Sequence, residues 1–219
     1  RMVSLPSNIE LCVETGGNPE NPAILLVMGL GVQLTYWPDT LVKKLIDAGF
    51  YVVRFDNRDI GYSTKIRKKG ASRINRLKLI ARAAIGLRTE DPRLPYHLED
   101  MAQDVAELIE ALDLKSVHLI GGSMGGMIAQ LLAIRYPRLV SSMACIYSCS
   151  DAYMLGGHRP SLPYMVRFLR VSMLPSETVE EKVEQLVFSK KNNVPHEFYD
   201  DAEAREHALE YIERCADRT

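Results

Sequence analysis

Long apolar runs are missing from this sequence. None approaches the roughly 18 residues that a membrane-spanning helix needs. The longest, Ala23 to Val32, is interrupted by Gly29 and Gly31 and is expected to form a buried strand followed by a turn. An excess of charge of one sign is missing too. The 27 Lys and Arg residues face 28 Asp and Glu, for a formal net charge of −1. That balance excludes a dedicated nucleic-acid binder, which carries a basic excess, and the weakly hydrophobic, highly charged composition of a disordered chain. Cysteine is sparse: Cys12, Cys145, Cys149 and Cys215 include no C-x-x-C pair, so neither a zinc site nor a redox couple is indicated. Cys12 and Cys145 fall in apolar stretches, where a free thiol acts as a small hydrophobe. The N-terminus opens on Arg1 and lacks the charged-then-apolar pattern of a signal peptide, which makes cytoplasmic the default location. No metal site, no cofactor and no membrane span are expected.

What is present is an alternation. With 219 residues, 47% of them hydrophobic, the chain is long enough to bury a core without staples. Four short β-rich runs, Ala23–Met28, Tyr51–Asp56, Val117–Ile120 and Ser142–Tyr147, are bounded by Gly, Asp, Asn or Ser and are expected to be buried strands. Ile9–Glu14 alternates apolar and polar residues, as an edge strand does. Between them lie helical patterns at Trp37–Ala48, Leu98–Leu112 and Gly125–Tyr136. The first has Pro38 at its start and Gly49 past its end, the usual asymmetry of helix termini. Strand–helix alternation with continuously apolar strands predicts an α/β fold: a mostly parallel sheet covered by helices on both faces. Lys65–Arg88 reads as a basic amphipathic helix on an insertion. Residues 1–150 would form this core, and residues 151–219, helical and acidic at Glu177–Phe188 and Ala202–Cys215, a second region.

Three segments carry chemistry. Gly121-Gly122-Ser123-Met124-Gly125 is a G-x-S-x-G lying between an apolar strand and an amphipathic helix, the context in which this motif becomes a nucleophile elbow. The sharp turn would lift the Ser123 hydroxyl above the strand ends, into the crevice where open α/β sheets bind ligands, and would set a helix N-terminus beneath developing charge. A Walker loop is excluded because no Lys-Ser/Thr follows the glycines, and a dinucleotide loop because Ser123 stands where its second Gly belongs. The second segment, Met28-Gly29-Leu30-Gly31, is a tight turn at a strand's carboxyl end. Its Leu30 N–H, with the N–H of Met124 after the nucleophile, would form an oxyanion hole. The third, Arg54-Phe55-Asp56-Asn57-Arg58-Asp59-Ile60-Gly61-Tyr62-Ser63, is a hydrogen-bonded turn of structural rather than catalytic role, with Arg58 as a buried ion-pair partner for a nearby carboxylate.

In this order, the three segments resemble the α/β-hydrolase superfamily over about the first 150 residues. The familiar forms are His-Gly-x at the oxyanion turn and Asp-x-Arg-Gly-x-Gly-x-Ser in the loop. This sequence has Met28 for the His and Asp59 for the first Gly. Those departures, with Trp37-Pro38 and Gly122–Gly125, are similar to the ester-hydrolase branch that includes aclacinomycin methylesterase. The resemblance implies Ser123 as nucleophile, Leu30 and Met124 as oxyanion donors, residues 151–219 as a helical cap, and a small-molecule ester as substrate. Ser rather than Asp at position 123 argues against dehalogenase and epoxide-hydrolase chemistry. Thioesterases, acyltransferases, peptidases and cofactor-free haloperoxidases share the Ser, and a non-catalytic binding module on the same scaffold is the alternative.

A serine nucleophile needs a base, and the superfamily order is Ser, acid, His. His97 and His118 precede Ser123, while His158, His196 and His207 fall in the cap-like region, with His196 the loop candidate. Asp151, after the fourth buried strand, is the candidate acid. None of these histidines follows a final strand, so the expectation is a sequence that stops inside the cap, before the strands bringing the acid and the His, and a fragment inactive by itself.

Overall fold

A computed structural model describes residues 1–66, 94–149, 178–193 and 196–216. The chain divides into two compact units, Arg1–Gly157 and His158–Thr219. Most of the expected basic helix at Lys65–Arg88 lies outside the described residues, as do Asp151 and His158.

The first unit is built on a six-stranded sheet. In chain order its strands are β1 (Met2–Ser4), β2 (Glu10–Gly16), β3 (Ala23–Val27), β4 (Tyr51–Phe55), β5 (Val117–Gly122) and β6 (Val140–Ile146), and across the sheet the order is β1-β2-β4-β3-β5-β6. β1 and β2 form an antiparallel hairpin, and β2 joins β4 antiparallel. From β4 onward every pairing is parallel. Every residue of β3, the strand Ala-Ile-Leu-Leu-Val, is buried, because both faces of the sheet are covered where it runs. Ala23, Leu25 and Val27 pack with Met101, Ala102, Val105, Leu108 and Ile109 of helix α2 (Leu98–Ala111). Ile24 and Leu26 pack on the opposite side with Val52 and Trp37, against Leu41, Val42, Leu45 and Ile46, the apolar stripe of helix α1 (Asp39–Asp47). A mostly parallel sheet with helices on both faces is thus the observed fold.

Three expectations change. The alternating strand starting near Ile9 is not at the edge: β1, too short to read from sequence, pairs outside it. Helix α1 begins at Asp39, with Pro38 as its N-cap, so Trp37 is not helical and instead contributes its indole to the core. The run after residue 140 is a strand, but it is not buried. Every residue of β6 after Val140 is exposed, Cys145 included, because β6 ends the described sheet and β5 pairs with only one of its sides. Met143 and Ile146, read as core residues on composition, are large exposed apolar side chains.

At the other edge, Glu107 of α2 accepts hydrogen bonds from the Ser7 N–H at 3.0 Å and from Gln103 at 2.8 Å. Partial burial pushes its carboxyl up, but these bonds outweigh it and hold the group below the usual carboxylate range. A depressed acid stabilises the fold above its ordinary value and loses that contribution as pH falls through the depressed one. The gap in thermal midpoint between the parent and Glu107→Gln is therefore expected to be open at pH 7 and to close in acid. A gap independent of pH would contradict this.

In the second unit, α4 (Val179–Asn193) and α5 (Asp201–Ala216) pair through Val183, Val187, Ala204 and Ala208. Arg205 bonds Glu184 at 2.6 Å and Asp201 at 3.1 Å, and Lys190 bonds Glu203 at 3.1 Å and His207 at 2.9 Å. Exposed ion pairs of this kind add little, so the apolar seam is what holds the hairpin.

Candidate active site

The β5 strand ends at Gly122 and helix α3 begins at Met124 and runs to Arg135. Ser123 is the single residue between them, with φ +53° and ψ −121°. A non-glycine residue at positive φ is held there only by its surroundings, and here they are particular. The Ser123 N–H donates to the Ile146 carbonyl at 2.9 Å, while its carbonyl accepts from the Gly126 N–H at 2.9 Å and from the Ser148 hydroxyl at 2.8 Å. The end of β6 thus clamps the elbow on both its backbone groups. The side chain is left out of this scheme: among the described residues the Ser123 hydroxyl has no hydrogen-bond partner.

The flanking glycines are required by space. A Cβ on Gly121 would stand 2.5 Å from the Gly125 carbonyl oxygen, and one on Gly125 would run into the Val27 carbonyl and lie 2.8 Å from that of Met28. These obstacles are backbone, which cannot swing aside. Gly125→Ala is accordingly expected to cost at least about 3 kcal/mol, the upper range of overpacking, read as a lowered denaturation midpoint. A variant as stable as the parent would mean that the elbow does not pack this tightly.

Gly29 closes the other side. A Cβ there would be 3.1 Å from Ser123 Cβ and 3.6 Å from Ser123 Oγ, so the turn after β3 passes directly against the nucleophile candidate. Its next residue, Leu30, is exposed, and Gly31 has φ +70°. Among the described residues the N–H groups of Leu30 and Met124 both lack an acceptor. For Met124 the reason is its place as first residue of α3, since the first N–H groups of a helix have no partner within it. Those orphan donors and the positive end of the helix dipole favour negative charge at this spot.

The third segment encloses a network. The buried Arg58 guanidinium makes two 2.6 Å bonds to the Asp104 carboxylate of α2 and a 3.1 Å bond to the Asp100 carbonyl, and lies 5.1 Å from the Tyr96 ring centroid. Burial works against the Arg58 charge, but the bonding and charge of Asp104 outweigh it and hold the guanidinium above its ordinary value. Burial is also the main reason that the Tyr96 hydroxyl is pushed upward, helped by its bond to Asp59. Asp56 is fully buried and accepts from the N–H groups of Leu34 at 2.8 Å and Tyr62 at 3.1 Å. Gly61, at φ +47°, has no room for a Cβ because the Asp56 carboxylate occupies that space.

The described histidines of the first unit are engaged elsewhere. His118 is a strand residue bonded to Ser142 at 2.8 Å, His97 caps α2, and His196 and His207 belong to the second unit. Among the described residues no imidazole hydrogen-bonds to Ser123. Sequence reasoning missed Ser148, whose only signal is its place just past a strand, and left unnamed the carboxylate that meets Arg58.

Comparison with known proteins follows the same segments. The family model described as "alpha/beta hydrolase fold" matches residues 22–165. Over 149 residues the chain is 27% identical to the rhodomycin D methylesterase DnrP of Streptomyces peucetius, a match covering 68% of this chain and 40% of that protein. It is 27% identical over 137 residues to the putative carbamate hydrolase RutD of Variovorax paradoxus, covering 63% and 42%. Among solved structures, a hydrolase from Pseudomonas aeruginosa PA01 superimposes with a TM-score of 0.61 at 19% identity, covering 95% of this chain and 66% of that one. The chain therefore spans about two fifths of the curated relatives it matches.

Proposed function

The chain belongs to the alpha/beta hydrolase fold family, and from that premise we propose that it supplies the nucleophile and oxyanion hole of a carboxylic ester hydrolase. Ser123 Oγ attacks the ester carbonyl carbon as a base takes its proton. The carbonyl oxygen becomes the oxyanion, received by the N–H groups of Leu30 and Met124. Collapse expels the alcohol, which recovers the proton, and leaves an acyl-Ser123. Water, deprotonated by the same base, attacks the acyl carbon, releases the acid and restores the hydroxyl.

One observation carries this reading: a serine at a positive-φ elbow, lying against a glycine turn, whose hydroxyl and whose nearby Leu30 and Met124 N–H groups have no hydrogen-bond partner among the described residues. Donors fixed before the reaction cost no reorganisation when charge develops, which is why such holes are among the larger catalytic terms. The names of the relatives, a methylesterase and a putative carbamate hydrolase, agree in chemistry, since both attack an acyl carbon bearing oxygen. The base is part of the proposal without an assigned residue. Asp151 remains the candidate acid. Residues 151–219 are proposed as cap, and a small ester as substrate.

The test is covalent. A fluorophosphonate probe is expected to label the whole protein once, on the peptide containing Ser123. Labelling elsewhere, or equal labelling of Ser123→Ala, would overturn the assignment. The binding-module reading draws on the lack of an imidazole bonded to Ser123. It would be favoured if a whole protein bound esters stoichiometrically and released no acid.

A further inference from the structure

Two anchors of the oxyanion turn come from the residues just past the neighbouring strand β4. Asn57, the second residue past β4, is 2% exposed and donates from Nδ2 to the Met28 carbonyl at 2.9 Å. Its neighbour Asp56 accepts from the Leu34 N–H at 2.8 Å. Two adjacent buried side chains thus hold the two ends of the segment that contains Gly29, Leu30 and Gly31. Among the described residues, Leu30 itself makes no hydrogen bond.

We infer that Asn57 is a positioning residue for the oxyanion hole: by fixing the Met28 carbonyl it sets the plane of the Met28–Gly29 peptide, and so, one residue on, narrows where the Leu30 N–H can lie. The inference rests on the reading of Ser123 as an acyl-transfer nucleophile. A peptide is planar, so holding the Met28 oxygen also fixes the Gly29 N–H, and the chain runs on through Gly29 to Leu30 from a determined starting direction. Gly29 is where that direction has consequences, because its Cα passes so close to Ser123 that a methyl group would be in tight contact. A small rotation here moves the donor off the oxyanion. Asn suits the task where Asp does not. It is nearly the same shape, but an Asp would set an acceptor against an acceptor in a buried place. The segment's expected role was structural, and its structural work is done by Asp56, Arg58 and Gly61. Among the described residues the Asn57 side chain bonds to neither the sheet nor α2, and its partner is the turn.

The experiment compares Asn57→Ala and Asn57→Asp with the parent in the whole protein. Losing an oxyanion donor outright costs about 10² to 10³ in kcat. Misaiming one is expected to lower kcat by about tenfold to a hundredfold, with KM within twofold and with affinity for a trifluoromethyl ketone falling in parallel with kcat/KM. A purely structural residue would lower the thermal midpoint without this split. NMR supplies an arm that does not depend on turnover. The Leu30 amide order parameter is expected to fall from about 0.85 toward 0.6 in the variants. In the unmutated protein a trans-hydrogen-bond coupling should join Asn57 Nδ2 to the Met28 carbonyl carbon. Absence of that coupling, or kcat and Leu30 order unchanged in a folded variant, overturns the inference. If Ser123→Ala keeps full turnover, the hydrolase reading fails instead, and the coupling and order measurements still decide whether Asn57 sets the turn.

Discussion

Ser123→Ala in the whole protein is expected to lower ester turnover by about 10⁴ to 10⁶-fold while leaving the thermal midpoint nearly where it was. Removal of a serine nucleophile from a working triad has an effect of that order, and what survives comes from the oxyanion hole and binding alone. The stability half of the expectation follows from the elbow. The Ser123 backbone is held by Ile146, Gly126 and Ser148 through groups that alanine keeps, and the hydroxyl that is lost has no partner among the described residues. Positive φ is unfavourable for alanine as for serine, so the change adds no new strain. The measurement is initial rates on a series of simple esters alongside a melting curve. Rates within tenfold of the parent would remove Ser123 from the chemistry. Rates measured on the 219-residue chain by itself are the companion experiment. Full turnover by that chain, with its mass confirmed, would show that a base reaches Ser123 from within it.

The second large effect concerns stability. Asp104→Ala is expected to cost about 3 to 5 kcal/mol, because it leaves the Arg58 guanidinium buried without its counter-charge. For a domain of this size that corresponds to a fall of roughly 6 to 20 °C in thermal midpoint. Arg58 also bonds the Asp100 carbonyl and lies against Tyr96, and the Asp100 carboxylate attracts it less than Asp104 does, so neither replaces the lost pair. Replacing both members, as Arg58→Met with Asp104→Leu, is expected to recover most of the loss, since buried pairs exchanged for apolar residues of similar volume are often neutral or better. Denaturant titration of the two singles and the double separates the cases. A single Asp104→Ala within 1 kcal/mol of the parent would show that the pair is solvated, and a double as unstable as the singles would show that the site cannot be packed with hydrocarbon.

These two results draw on features of different legibility. Ser123 was readable because its constraints are local: strand, glycine, serine and glycine in immediate succession, in an order that only a tight strand-to-helix turn explains. The central strands were readable for a similar reason. A strand covered on both faces must be apolar throughout, as Ala23–Val27 is. Arg58 could be marked as buried and paired, but Asp104 could not be picked out, because α2 also carries Glu99, Asp100, Glu107 and Glu110, and only the rotation of the helix on the sheet decides which faces inward. β6 failed in the opposite direction. Its apolar composition speaks for burial, and composition says nothing about whether a neighbour stands beside it. Asn57 and Ser148 lay beyond reach for a third reason: each acts through one bond to a main-chain carbonyl, and such bonds leave no spacing in a sequence.

The position of β3 has a consequence for the order in which the molecule comes together. It pairs on one side with β4, soon after it in the chain, and on the other with β5, through Leu25 with Leu119 and Val27 with Gly121. Closing the long intervening stretch is entropically costly, and distant pairings of this kind slow folding. During synthesis the Gly29 turn and the Asp56–Asn57 anchor emerge together, while the serine they serve is translated only much later. The Leu30 side of the proposed oxyanion hole can therefore be in place before the segment that carries both Ser123 and its Met124 donor. Docking β5 against β3, with β6 beside it, is what brings Ser123 to the Gly29 turn.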